Sequence, residues 1–162
     1  MPARAAAVTC ADVKKCNKGS RISGNTVTPG EDPTSGVFFT SQINSVASII
    51  TGNQDVNLRG DGMRMTGSNN ITPLSPFAPY LPADTIDCDP GLMTLANNGG
   101  PTQTMALPAG SRAIDKGPVA PFPRFQSDQR GPQFARKVGA ATDVGAYEAQ
   151  SNDRIFYNGF NP

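Results

Sequence analysis

Proline and glycine recur along this chain so often that no long helix can run through it. There are 15 prolines and 17 glycines in 162 residues. Proline removes a backbone donor and clashes with the preceding turn, and glycine is costly to hold in a helix. The longest helical windows left are CADVKKC (10–16) and GLMTLANN (91–98), about two turns each. Between the breakers lie short pieces rich in Val, Ile, Thr and Phe: SRISGNTVT, GVFFTSQI, SVASIITGN, VNLRG and MRMTGSNNIT. Bounded by Gly, Asn and Asp, these read as strands, and the chain as all-β.

Two of the strand-like pieces repeat. Ile22-Ser23-Gly24-Asn25 is matched further on by Ile50-Thr51-Gly52-Asn53, and RMTGSNN (64–70) is a looser echo. A period of this size is characteristic of solenoids. In a parallel β-helix, each inward Ile or Val stacks on its counterpart one coil away. Corner Asn residues adopt a left-handed backbone and form an amide ladder between coils. The stretch 72–90 carries five prolines and reads as an extended, packed connection, with Phe77, Tyr80 and Leu81 laid onto the body.

Charge narrows the function classes. Charged residues make up 17% of the chain and the formal net charge is +1, which gives no electrostatic basis for binding nucleic acid or an anionic membrane. Basic pairs such as Lys14-Lys15 and Arg136-Lys137 read as solvated faces. With no histidine, Ser-His-Asp and Cys-His catalysis and His-ligated zinc are excluded. No run reaches the roughly 18 apolar residues of a membrane span. The opening MPARAAAVTCADVKK lacks an apolar run of signal length, so either the signal is missing from this chain or the protein is not exported as written. Cys10 and Cys16 are close enough to be bridged across a short loop in an oxidising compartment, leaving Cys88 over. The alternative for Cys88 is a small buried apolar residue.

The most specific pattern lies in residues 89–148. It runs Asp89-Pro90, Leu92 and Leu95, Asn98-Gly99-Gly100-Pro101-Thr102, Thr104 with Leu107, Gly110 to Gly117, Asp128-Gln129-Arg130-Gly131, and Asp143 to Glu148. This order of blocks resembles the C-terminal region of bacterial surface proteins related to polymorphic outer-membrane proteins and to those called choice-of-anchor Q. One departure is Met105, where many relatives carry His. Another is length, because the family's helix is usually much longer.

The resemblance implies a right-handed parallel β-helix, pectin-lyase-like, of about three coils, ended by a Pro/Gly-rich C-terminal cap. Residues 1–19 form an N-terminal segment with a short helix, 20–88 the coils and the Pro-rich connection, 89–150 the cap, and 151–162 a tail. In the cap, Leu92, Leu95, Leu107, Ala113 and Ile114 plug the end of the core. Asn98, Gly99, Gly100 and Pro101 make a tight turn. Asp115, Asp128, Arg130, Asp143 and Glu148 form ion pairs and bond otherwise unpaired backbone N–H groups. The tail DRIFYNGFNP resembles the Ile-Phe-x-x-Gly-Phe ending of many exported gammaproteobacterial proteins. Ile155, Phe156, Gly159 and Phe160 are then either a sorting signal or a last strand packing two Phe on the core.

The implied function is a non-enzymatic, extracellular or cell-surface bacterial module of adhesin type, with no cofactor, binding surface glycans or copies of itself. Two alternatives stand beside it. One is a carbohydrate-active β-helix that binds or cleaves polysaccharide. The other is a self-assembling subunit stacked through its open N-terminal coil. Paired carboxylates can hydrolyse glycosides, but every acid of the pattern falls within the cap, and Asp128-Gln129-Arg130-Gly131 reads as a turn with an internal Asp–Arg pair. A calcium-dependent lyase would place Asp55 and Asp61 near Arg59 and Arg64. Arg59-Gly60-Asp61 is most simply a turn.

Overall fold

The computed structural model describes residues 8–9, 21–22, 34–39, 41–53, 56–59, 64–73 and 80–151. Among them the chain is all-β, with strands and no helix. It divides into two compact units, Met1–Asp89 and Pro90–Pro162. The windows 10–16 and 23–33, Phe77 and the tail from 152 onward lie outside the described residues, as do Cys10, Cys16, Asp55 and Asp61.

The first unit holds β1 (Val8–Thr9), β2 (Arg21–Ile22), β3 (Thr34–Phe38), β4 (Ile43–Val46), β5 (Ile49–Ile50), β6 (Val56–Arg59) and β7 (Met65–Ser68). Every pairing among them is parallel. Parallel neighbours need a long crossover, usually supplied by a helix. Here other strands supply it. In the first return Val8 pairs with Val37, and Arg21 with Ile49. The next return is shorter: Thr34 pairs with Val56, Ile43 with Met65 and Ile49 with Ile71 by one and the same step, while a register shift within β3 sets Val37 beside Leu58 and Phe38 beside Arg59, one position less. The last is shorter again, with Arg64 beside Tyr80 and Ile71 beside Ile86.

The alternation of side chains explains why these segments pair as they do. In β4, Ile43 and Ser45 are buried while Asn44 is exposed, and in β6 Val56 and Leu58 are buried. The inward set of Val37, Phe39, Ile43, Ile50, Leu58 and Met65 forms one cluster, against which Leu81 packs. Ile49 and Ile71, one above the other in register, are 2% and 0% exposed. Such burial removes apolar surface from water at about 25 cal/mol per Å2.

The repeat Ile22/Ile50 is a direct strand pair, but the looser echo is displaced. Met65 to Ser68 pair with Ile43 to Val46, and Ile71 takes the place beside Ile49. The Thr66-Gly67 pair is used instead at a close approach. A Cβ on Gly67, whose φ is +115°, would fall on the carbonyl oxygen of Ser45. An asparagine of the echo, Asn70, ties its segment to the strand beside it. Buried Asn70 donates from Nδ2 to the Ser45 carbonyl (2.8 Å), while its Oδ1 accepts from Ser45 Oγ (3.0 Å) and Ser48 N (3.2 Å). Asn25 lies outside the described residues. Tyr80 does not pack on the body: it is 73% exposed, because the alternation that turns Leu81 inward turns its neighbour out.

In the second unit the window 91–98 is not a helix. It contains β8 (Leu95–Ala96), antiparallel to β9 (Thr104–Met105), so the Leu92/Leu95 spacing is not a helical face. The Asn-Asn-Gly-Gly turn reverses the chain, and both its glycines have positive φ. A hairpin satisfies these residues better than two turns of helix closed by glycines. Leu107 and Ala113 are buried, Leu92 and Ile114 half-buried, and Leu95 is 55% exposed. Leu95 is therefore no core residue.

Gly67→Ala should destabilise the chain by about 1–3 kcal/mol, since the added methyl needs the Ser45 backbone to move. Ile71→Ala should cost about 2–5 kcal/mol through the cavity it leaves. Urea titration followed by circular dichroism measures both.

Candidate functional site: a buried cluster of ion pairs

The Asp128–Gly131 turn closes on itself. Asp128 Oδ1 accepts the Arg130 N–H (2.7 Å), and Gly131 N donates to the Asp128 carbonyl (3.1 Å). Asp128 Oδ2 accepts from Arg130 Nε (3.0 Å) and Nη2 (2.8 Å), and also from Glu148 N (3.0 Å). Both side chains are fully buried. Arg130 uses its remaining donors on the Glu148 carbonyl (2.6 Å), the Tyr147 hydroxyl (3.1 Å) and the Asn98 carbonyl (3.3 Å). Its guanidinium lies between the rings of Phe134 and Tyr147, 3.9 Å from each centroid. A planar, weakly hydrated cation suits this sandwich, and lysine would not replace it.

The same arginine reaches the 98–101 turn. Asn98 Nδ2 donates to Thr104 O (2.8 Å) and Oγ1 (3.1 Å), bracing the hairpin from inside its loop. Gly100, at φ +82°, passes so near the Arg130 backbone that a Cβ there would collide with it. Pro101 is exposed.

A second pair is linked to the first through the backbone of Glu148. Glu148 Oε2 accepts from Arg136 Nη1 (2.9 Å) and Asp143 N (2.8 Å), and Oε1 from Val138 N (3.0 Å). Arg136 Nη2 donates to the carbonyls of Asp143 (3.1 Å) and Gly145 (2.7 Å). Asp143 Oδ1 accepts from Asp115 N and Oδ2 from Ala149 N, each at 2.8 Å. Asp115, held at φ +56°, accepts from Ala141 N at 3.0 Å.

The five residues Asp115, Asp128, Arg130, Asp143 and Glu148 are thus brought together, and all four acids accept backbone N–H groups. Two further members, Arg136 and Phe134, are absent from the sequence pattern, and a third, Tyr147, lies in its Asp143 to Glu148 block without an assigned role. Arg136 reads in sequence as half of a solvated basic pair, yet only its neighbour Lys137 behaves so, reaching the Val119 carbonyl at the surface. Arg136 is 9% exposed. The signal for it is the surplus of acids over arginines in the pattern. Phe134 carries no signal, because a ring over a guanidinium has no fixed spacing in sequence, and the same holds for the contact, though not the presence, of Tyr147 in the Asp143 to Glu148 block.

Burial governs the titration here. The Glu148 carboxyl is pushed up to about 7, first by loss of solvent and also by the charge of Asp143; the N–H groups of Asp143 and Val138 and the Arg136 guanidinium pull the other way. Burial likewise raises Asp143, against the N–H groups of Ala149 and Asp115. A raised, buried acid often marks catalysis. Here Asp128, Asp143 and Glu148 are 6%, 2% and 1% exposed, and each of their carboxylate oxygens already accepts a hydrogen bond. A glycosidase pair must instead flank an open bond with room for substrate.

Of the alternative acidic site, only the basic residues are described: Arg59 is half-buried on β6 and Arg64 is exposed. Cys88 is half-buried. Among the described residues no three acids or cysteines are grouped to hold a metal ion, and no helix is long and apolar enough to cross a membrane. No protein-family model matches this chain, and no curated protein and no solved structure is found similar to it.

Asp128→Ala should destabilise the protein by about 3–5 kcal/mol, because it leaves Arg130 buried without its counter-charge. Exposed Gln129→Ala, next to it, should stay within about 0.5 kcal/mol of the parent. Stability should also fall with rising pH. Glu148 titrates near 4.5 when unfolded and near 7 when folded, so between these values the folded chain holds more protons. The extra stability is present below about 4.5 and is lost as pH rises through about 7. Melting temperatures across this range should show the decline, and Glu148→Gln should flatten it.

Proposed function

We propose that this chain is a non-enzymatic module of an exported bacterial surface protein, built as a right-handed parallel β-helix of about three coils and followed by the Pro/Gly-rich region 89–150. Its work is adhesion, done by the outward faces of its sheets. One observation carries the reading. Three successive strands, β3, β4 and β5, are each joined in parallel to chain lying nearly the same number of positions further on: Ile43 to Met65, Ile49 to Ile71 and Thr34 to Val56, with a shift of one position between Thr34 and Val37. Parallel returns of nearly constant length support a coiled reading. Asp128, Asp143 and Glu148 support the non-enzymatic part, because both carboxylate oxygens of each accept backbone N–H groups.

Stacking of copies is a second reading. β1 and β6 are the outer strands of their three-stranded sheet, and an outer strand offers a template for another chain.

Sedimentation velocity with far-UV circular dichroism on the purified chain tests both. The expected result is a compact, β-rich monomer. Ordered oligomers or filaments would replace adhesion by assembly as the function. A disordered spectrum would overturn the reading of this chain as a self-sufficient coil module.

A further inference from the structure

The outward face of the sheet formed by β4 and β7 carries a row of side chains that take no part in the described packing. Tyr80 stands beside Arg64 in a parallel bridge, with Met65 N donating to the Tyr80 carbonyl (3.0 Å). Ile43 N donates to the Arg64 carbonyl (3.3 Å), so Gln42 lies on the far side of Arg64, one residue before the Ile43–Met65 pair. Alternation turns all three outward. Their neighbours Ile43 and Met65 are buried and Leu81 packs on the core, while Gln42 and Arg64 are exposed and Tyr80 is 73% exposed. At about 4.8 Å between strands the row spans roughly 10 Å. Beside it runs a second outward column, in which Asn44 Nδ2 donates to Thr66 Oγ1 (3.1 Å) and Thr66 Oγ1 donates to the Ile43 carbonyl (3.1 Å).

The two columns differ in how they are occupied. Asn44 and Thr66 are fixed by each other. Among the described residues, the side chains of Gln42, Arg64 and Tyr80 make no hydrogen bond, ion pair or ring contact. Asp84, an acid on the following turn, is already committed to Asn69 N (2.8 Å). Backbone pairing at the edge of this sheet therefore sets three groups side by side: a planar aromatic ring, a guanidinium that no described acid neutralises, and a primary amide.

We propose that Tyr80, Arg64 and Gln42 form a binding site for an anionic oligosaccharide. The ring offers an apolar face with a polar tip, suited to the C–H face of a sugar. The guanidinium presents a fork that matches a carboxylate or sulfate. The amides and hydroxyl of Gln42, Asn44 and Thr66 suit sugar hydroxyls. The other ligand classes fit poorly. One arginine is not the basic stripe that nucleic acid needs, and one exposed ring among polar groups is not the apolar core of a protein interface. The site deepens the adhesin reading and rests on it, and it names the class of ligand that the surface takes up.

The test uses the full chain against an immobilised panel of sialylated, uronate-containing and sulfated oligosaccharides, each with its neutral counterpart. At least one acidic member should be retained and its neutral counterpart should not. Arg64→Gln and Tyr80→Ala should each weaken retention at least about tenfold, the order expected for one charge-assisted contact. Gln129→Ala, on the other unit, should leave it unchanged. Retention of no acidic glycan, equal retention of neutral ones, or binding that survives both variants would overturn the site. Loss of self-association in Tyr80→Ala, seen by sedimentation, would reassign the row to a contact between copies. Circular dichroism on the same samples separates the two readings: a β-rich spectrum with no binding removes this site alone, whereas a disordered one removes the module itself.

Discussion

A backbone without helices, as this one is among the described residues, must still find acceptors for its N–H groups, and the rest of the described structure follows from how it does so. A buried unpaired N–H costs about 1–3 kcal/mol, and a helix is the most local remedy. Prolines and glycines spread along the chain remove that remedy. The two units replace it differently. In residues 1–89, parallel ladders pair the described strands with one another across long stretches of chain. In residues 90–162, where turns succeed one another, carboxylates serve as the acceptors.

The second solution brings a charge problem that the first avoids. Side-chain acceptors strong enough to hold a turn are anionic, and burying them needs cations. Arg130 and Arg136 answer Asp128, Asp143 and Glu148, which leaves one carboxylate in excess among the buried groups. Glu148 is pushed up to about 7 first by burial, and the neighbouring charge of Asp143 adds to it, against the pull of its arginine and of backbone N–H groups. Replacing such a network with apolar residues is often neutral in stability. Here, though, the acceptors have backbone N–H groups to satisfy, and an apolar side chain cannot do that.

How much of this is legible in the sequence depends on whether the relevant interaction is local. The absence of helices among the described residues follows from Pro and Gly spacing. The Asp128–Arg130 pair is legible because both partners sit within one turn. The pairing of Ile22 with Ile50 is legible because the two copies keep the same residues. The pairings of the second return are not, since Ile43 and Met65, or Thr34 and Val56, share no motif, only a place in the ladder. Leu92 and Leu95 suggest a helical face only while their i, i+3 spacing is weighed without the Asn97–Gly100 turn that folds the segment back. Arg136 is hidden by its lysine neighbour, and Tyr80 by the prolines around it, which make its whole segment look like packing.

The division of labour between the units bears on function. The carboxylate network turns its polar groups inward, so the chemistry that looks most reactive in sequence has no group left to offer a ligand. The parallel sheets need only their backbone and alternate side chains for folding. Every second residue faces outward without being needed for stability, and such positions are open to selection for binding. Gln42 and Arg64 stand just before β4 and β7, and Tyr80 is bridged to Arg64, so the backbone pairing sets their spacing before any ligand arrives. Pre-organisation of this kind lowers the entropic cost of binding, and it comes from the same ladder that replaces the missing helices.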